Sequence, residues 1–182
     1  MSAQIKLAPR YRIGKPMRIV LALAIATFAL APRQVRADDA ATVAYKSLAP
    51  EVALAAAQAA MKTCRDNGYQ ISVAVVDRFG QPQVLLRDRF AGLPANDTAT
   101  RKAYTALSFR ASTADLAKSI RNGQLDSGLA QLPGVAMLGG GLIIEAGGTL
   151  LGGIGVAGAP GGDKDEVCAK AGIEAIRDRL DF

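Results

Sequence analysis

The spacing of apolar and polar residues changes several times along the chain, and each change marks an element. PEVALAAAQAAMKTCRDNGY is alanine-rich, opens at Pro50 and stops at Asn67-Gly68, which predicts a helix with proline in its first turn. QISVAVVD, residues 70–77, is dense in β-branched residues and too short for a buried helix, so it predicts a strand. RFGQP turns the chain, and QVLLRD returns it as a hairpin partner. Asn96 or Asp97 can cap a helix through TATRKAYTALSFR, and Ser112 or Thr113 a shorter one, ADLAKSIR, ended by Asn122-Gly123. Residues 124–134 read as surface loop. VAML, LIIE and TLLGGIGVAG follow as three strands, the last two joined at Ala146-Gly147-Gly148. After Pro160-Gly161-Gly162, Asp163 caps a final helix and Glu166 completes a capping-box pattern. Helix, two strands, two helices, three strands, helix: this order predicts an α+β fold with an antiparallel sheet.

Within the last strand, GIGVAG (Gly153–Gly158) spells G-x-G-x-x-G, the fingerprint of a dinucleotide loop. Such a loop joins a strand to a helix that begins inside the motif, and a second strand ends in an acid about 20 residues on. Here Pro160, Gly161 and Gly162 intervene before the helix, and only 24 residues follow Gly158. No βαβ unit fits, so no NAD site is expected. The glycines instead predict a strand that another element approaches closely.

Charge changes the picture at the N-terminus. Residues 1–37 carry seven Lys and Arg and no acid, and Ile19–Ala31 is an uncharged run of thirteen. With VRA before DDA, this reads as a secretory signal cut after Ala37, whether translation begins at Met1 or Met17. Thirteen apolar residues fall short of the ~20 that a spanning helix needs. The expected organisation is a signal at 1–37, an N-terminal arm at 38–47 and a domain at 48–182, in the periplasm or secreted. Of 22 basic residues, removing the signal's seven leaves 15 against 16 acids, net −1. The basic balance thus belongs to the signal, and neither nucleic acid nor, after cleavage, a membrane is an expected partner. Export places Cys64 and Cys168 where disulfides persist. At this point a bridge and two buried thiols are both open.

Several blocks in one order carry a resemblance. The Ala-rich helix running into QISVAVVD, the segment RKAYTALSF, and GGGLIIEAGGTLLGGIGVAGAPGGDKDE before an alanine-containing helix resemble the GlcG/HbpS family of small haem-binding-type domains, over about residues 48–180. The resemblance implies a profilin- or PAS-like antiparallel sheet of five strands, order 2-1-5-4-3, with the first and last helices on one face. If those helices run antiparallel, Cys64 near the end of one meets Cys168 early in the other, so the resemblance implies a Cys64–Cys168 disulfide. It implies homo-oligomers and, as the leading function, a non-enzymatic binding protein for haem or a related tetrapyrrole, serving storage, sensing or transport. The alternative is a small-carboxylate (glycolate-type) binding or accessory protein, and the third option a haem-degrading enzyme.

The chain contains no histidine. That removes His-based nucleophile systems, most zinc sites and the proximal histidine of globins. Axial candidates for a haem iron are then Tyr45, Tyr69, Tyr104, Met61, Met137, the two cysteines and, more weakly, Lys102. By helical spacing Thr98, Lys102, Thr105 and Phe109 share a face, flanked by Arg101 and Tyr104. This stripe of hydroxyls, cation and ring suits a carboxylate, a haem propionate included. It also suits an ordinary half-buried helix with Tyr104 and Phe109 in the core and Arg101 and Lys102 solvated. The run Asp163, Asp165, Glu166 lacks the spacing of a calcium loop, and acids at a helix start are favoured by the macrodipole alone. No catalytic residue is assigned, and no metal site.

Overall fold

In the computed structural model, residues 42–180 are described. The chain divides into two units, Met1–Ala44 and Tyr45–Phe182. The expected signal at 1–37 and the first residues of the arm lie outside the described residues. No helix among the described residues is long and apolar enough to cross a membrane.

The second unit holds α1 (Pro50–Asp66), β1 (Ser72–Asp77), β2 (Pro82–Arg87), α2 (Ala95–Phe109), α3 (Thr113–Arg121), β3 (Gly141–Ala146), β4 (Thr149–Ala157) and α4 (Gly162–Glu174), with short 3-10 turns at Ser127–Gln131 and Arg177–Arg179. Pro50 opens α1 as expected, and the Ser112 hydroxyl accepts from the Asp115 N–H at the start of α3. The other two expected caps are not made. α2 starts behind Pro94 and α4 behind Gly161, with no capping side chain at either. The backbone turns before these helices leave Asp97 and Asp163 within the first turn, where the macrodipole still favours them.

The sheet is antiparallel in all pairings, with four strands in the order β2-β1-β4-β3. This corrects the expectation of five strands in the order 2-1-5-4-3, and the missing strand is VAML. There the Val135 N–H turns back onto the Leu132 carbonyl and the Ala136 N–H is taken by the Thr105 hydroxyl, at 2.9 Å. Donors committed to a turn and to a helix side chain are not available for a strand ladder.

Period two sorts the strands onto two faces. Val73, Val75, Ile154 and Val156 join one core with Ala53, Ala56, Ala57 and Ala60 of α1 and Cys168 and Ala169 of α4. Burying each of the larger side chains contributes ~1.5–3 kcal/mol. The first and last helices thus share a face, and Cys64 is bonded to Cys168 with Cα atoms 5.5 Å apart, as the resemblance implied. On the other face Ala74 packs with Ala99, and Val76 with Ala103 and Leu107, all of α2. Gly153 and Gly155 point the same way. A Cβ on Gly153 would stand 2.7 Å from the Ala103 carbonyl oxygen, and one on Gly155 would collide with that of Ala99. GIGVAG is therefore a groove in the sheet that seats the backbone of α2.

Candidate functional site

Because α2 lies in that groove, its inward face is buried to the backbone, and Lys102 is carried down with it. Only 3% of Lys102 is exposed, as is 3% of Asp165 in the first turn of α4. The Lys102 ammonium donates to Asp165 Oδ2 at 2.7 Å and to the Val156 carbonyl at 2.9 Å. Asp165 Oδ1 accepts from the Ala159 N–H at 3.0 Å. Removing two charges from water costs several kcal/mol per ion, offset only when pairing and hydrogen bonds are good. Burial pushes the Asp165 carboxyl above its ordinary range, against the lowering by the Lys102 ammonium and the Ala159 N–H; the charge of Asp163 adds to the rise. Two of the three ammonium donors are spent on protein, which leaves one for a ligand.

The pair forms the floor of a cleft of about 340 Å³. Its walls come from Thr98 of α2, the Gly92–Pro94 loop, Leu138-Gly139 and the turn from Gly158 into α4. Gly161 and Gly162, at the N-terminus of α4, line it as well. A helix N-terminus carries partial positive charge and free N–H groups, which favour an anion. Leu138 lines it and is exposed; the loop that brings Gly92 and Pro94 to the cleft also carries Phe90, 78% exposed, and Leu93, 93% exposed, which do not themselves line it.

The stripe read from helical spacing is split. Thr98 and Lys102 meet in the cleft. Arg101 faces outward and pairs with Asp97 at 2.8 Å. Thr105 is buried and ties α2 to the following loop, donating to the Arg101 carbonyl and accepting from Ala136. Tyr104 is 39% exposed and lines a different concavity, while Phe109 is half-buried and lines neither. The expectation of a core tyrosine beside a solvated lysine is reversed, because the groove faces position 102 rather than 104.

In the sequence Asp165 is one of several helix-start acids, and its role here has no local signal: its partner lies 63 residues away. Of its neighbours, Asp163 is exposed and Glu166 pairs with Lys170 at 2.7 Å. Among the described residues, no three metal-ligating side chains gather. The iron-ligand candidates other than Lys102 lie elsewhere. Met61 is in the core, Tyr69 packs against it, both cysteines are bridged, and Tyr45 stacks edge-on with Phe79 at 5.7 Å between centroids. Neither Tyr104 nor Met137 lines the cleft.

Comparison with known proteins places this architecture. No protein of curated function matches the chain. A double mutant of HbpS from Streptomyces reticuli is 41% identical over 80% of this chain and 97% of its own, with a TM-score of 0.71. A structure described as a PduOC:haem complex is 27% identical over 71% of this chain and 95% of its own, with a TM-score of 0.67. The ORFY protein of Klebsiella pneumoniae shares the fold at 22% identity, covering 75% of this chain and 94% of its own, with a TM-score of 0.71. The family model described as "haem degrading protein HbpS-like" matches residues 48–174. The chain belongs to the HbpS-like family.

Proposed function

We propose that this protein binds haem or a related tetrapyrrole, seating a propionate in the Lys102 cleft and laying the macrocycle edge on the exposed apolar residues beside it. The observation that carries the reading is the family match over 48–174 together with the haem complex formed by the relative PduOC. The cleft fits the carboxylate end of such a ligand. The remaining Lys102 donor, the Thr98 hydroxyl and the N-terminus of α4 are suited to a carboxylate, and Phe90, Leu93 and Leu138 to a flat apolar body. The same residues do not fit iron ligation. Apart from the ion-paired Lys102, no strong axial ligand lines the cleft among the described residues. The function supported is therefore binding, for storage, sensing or transport. The proposal includes export, which the disulfide favours because such bridges persist in oxidising compartments, and assembly into homo-oligomers, which would cover Phe90 and Leu93 further.

A hemin titration of the purified protein, followed by absorbance, tests this. The expected outcome is saturation near one equivalent with a sharp Soret band, and at least tenfold weaker binding for Lys102→Met. A broad, non-saturating response would sink the proposal. A second reading, a small carboxylate in the same cleft, is favoured by the volume, which lies at the low end of the ~300–1,000 Å³ usual for ligand sites. A small acid that raises the melting temperature while hemin does not bind specifically would select it.

A further inference from the structure

At the far end of α2 from the Lys102 cleft lies a second concavity, of about 290 Å³. Two guanidinium residues, Arg78 after β1 and Arg110 after α2, line it together with Phe79, Tyr104 and Ser108, over a floor that includes Leu107 and Leu150. No acidic residue lines it.

Tyr104 and Arg78 are held in place, and Arg110 is strained and, among the described residues, without a carboxylate partner. Tyr104 is wedged between two glycines. A Cβ on Gly80 would lie 2.9 Å from its Cδ2, and one on Gly134 would lie 3.6 Å from its Cε1. Both glycines have positive φ, +79° and +80°, so neither position readily accepts another residue. Arg78 is fixed from behind: Nη1 donates to the Lys46 carbonyl at 3.2 Å, and its guanidinium lies over the Tyr45 ring, 4.5 Å from the centroid. Most of its five N–H donors remain for a ligand. Arg110 is the one described non-glycine residue at positive φ, 53°, a left-handed conformation that side chains other than Asn, Asp and Gly rarely adopt. Among the described residues it has no carboxylate partner. Glycine is the unstrained residue at such a C-cap, so the arginine carries a backbone cost that a ligand contact of its side chain would offset.

We propose that this concavity is a second ligand site, for a small aryl carboxylate. The two guanidiniums take the carboxylate, whose planar oxygens match the guanidinium fork. The Tyr104 hydroxyl supplies a further donor, and the Phe79 and Tyr104 rings meet the aromatic body. The site is independent of the haem reading, because it shares no residue with the Lys102 cleft.

Benzoate, acetate and inorganic phosphate, each titrated into the haem-free full chain by calorimetry and by amide chemical shifts, separate the outcomes. Expected is saturable benzoate binding with shifts centred on Gly80, Tyr104 and Arg110, and acetate and phosphate weaker for lack of a ring. Arg110→Gly should melt higher than the unaltered protein, since the strained residue is relieved, yet bind benzoate roughly ten- to hundredfold more weakly. That combination separates loss of a ligand contact from loss of fold. Arg121→Ala, which removes an exposed cation of α3, should bind as the unaltered chain does. Equal binding of phosphate overturns the aryl-carboxylate assignment. Absent saturation, shifts confined to the Lys102 cleft, or undiminished binding by Arg110→Gly overturns the site itself.

Discussion

Toward α1 and α4 the sheet presents Val73, Val75, Ile144, Leu151, Ile154 and Val156; toward α2 it presents Ala74, Gly153 and Gly155. The first face is filled by side-chain volume and closed by a disulfide. The second is built by omitting volume, so that a helix backbone rests on a strand and takes Lys102 down to Asp165. A face filled with branched aliphatics is packed side chain against side chain. One where backbones touch leaves hollows at the ends of the helix, and both concavities lined by α2 residues sit there. The two candidate sites thus lie along α2, while the disulfide and the branched aliphatics lie on the side of α1 and α4.

The largest way to break this division is to open the staple. The bridge spans a separation of 104 residues, for which the loop-entropy estimate is about 4.7 kcal/mol, less any strain it introduces. Urea unfolding with and without reductant, or of Cys64→Ala/Cys168→Ala, should show a loss of about 4–5 kcal/mol. Where the protein remains folded, hemin affinity should be nearly unchanged. A large loss of affinity in a folded reduced protein would show that the faces are coupled rather than divided.

A smaller effect tests the omission of volume directly. Alanine normally suits a strand interior better than glycine does, so Gly155→Ala on a free surface would stabilise. Here the added Cβ meets the Ala99 carbonyl, and overpacking of this kind typically costs ~1–3 kcal/mol. One residue earlier and on the opposite face, Ile154→Val should cost ~0.5–1.5 kcal/mol by removing a methylene. Adding volume on one side and removing it on the other should both lower the denaturation midpoint. A neutral or stabilising Gly155→Ala would mean that α2 does not rest on β4.

Much of this division is legible in the sequence. The two-residue spacing of glycines in GIGVAG, with the wrong context for a nucleotide, indicates a strand approached closely by another element. Thr98 and Lys102 stand out by helical spacing. The cysteine pairing follows only from the family resemblance, since two cysteines alone leave bridge and thiols equally open. What local pattern could not supply is the partner of each group. VAML has strand composition, but its donors go to Leu132 and Thr105, and Thr105 lies 31 residues before Ala136. Asp163, Asp165 and Glu166 are alike as helix-start acids, and only the folded turn at Gly158–Gly162 decides which of them meets a lysine. Arg110 gives no signal at all, because its strain is a backbone property.

The smallest predicted effect concerns the pair that joins the two faces, since Asp165 belongs to α4 and Lys102 to α2. Desolvation raises the folded-state pKa of Asp165 above its ordinary 3.8 despite the lysine. Between the unfolded and the folded pKa, the folded chain therefore holds more protons than the unfolded one. Stability from this group is fully present below about pH 3.8 and is lost as pH rises through the folded value. Asp165→Asn keeps a hydrogen-bonding amide of the same size and cannot titrate. Melting temperatures of both proteins from about pH 3 to pH 7 should show the unaltered chain's advantage over Asp165→Asn shrinking as the pH rises. A gap that widens with pH would mean that the ammonium outweighs burial, and that the pair is a net staple between the faces. A shrinking gap identifies it instead as a charge pair held at a cost to stability, which is expected of a group kept for a ligand.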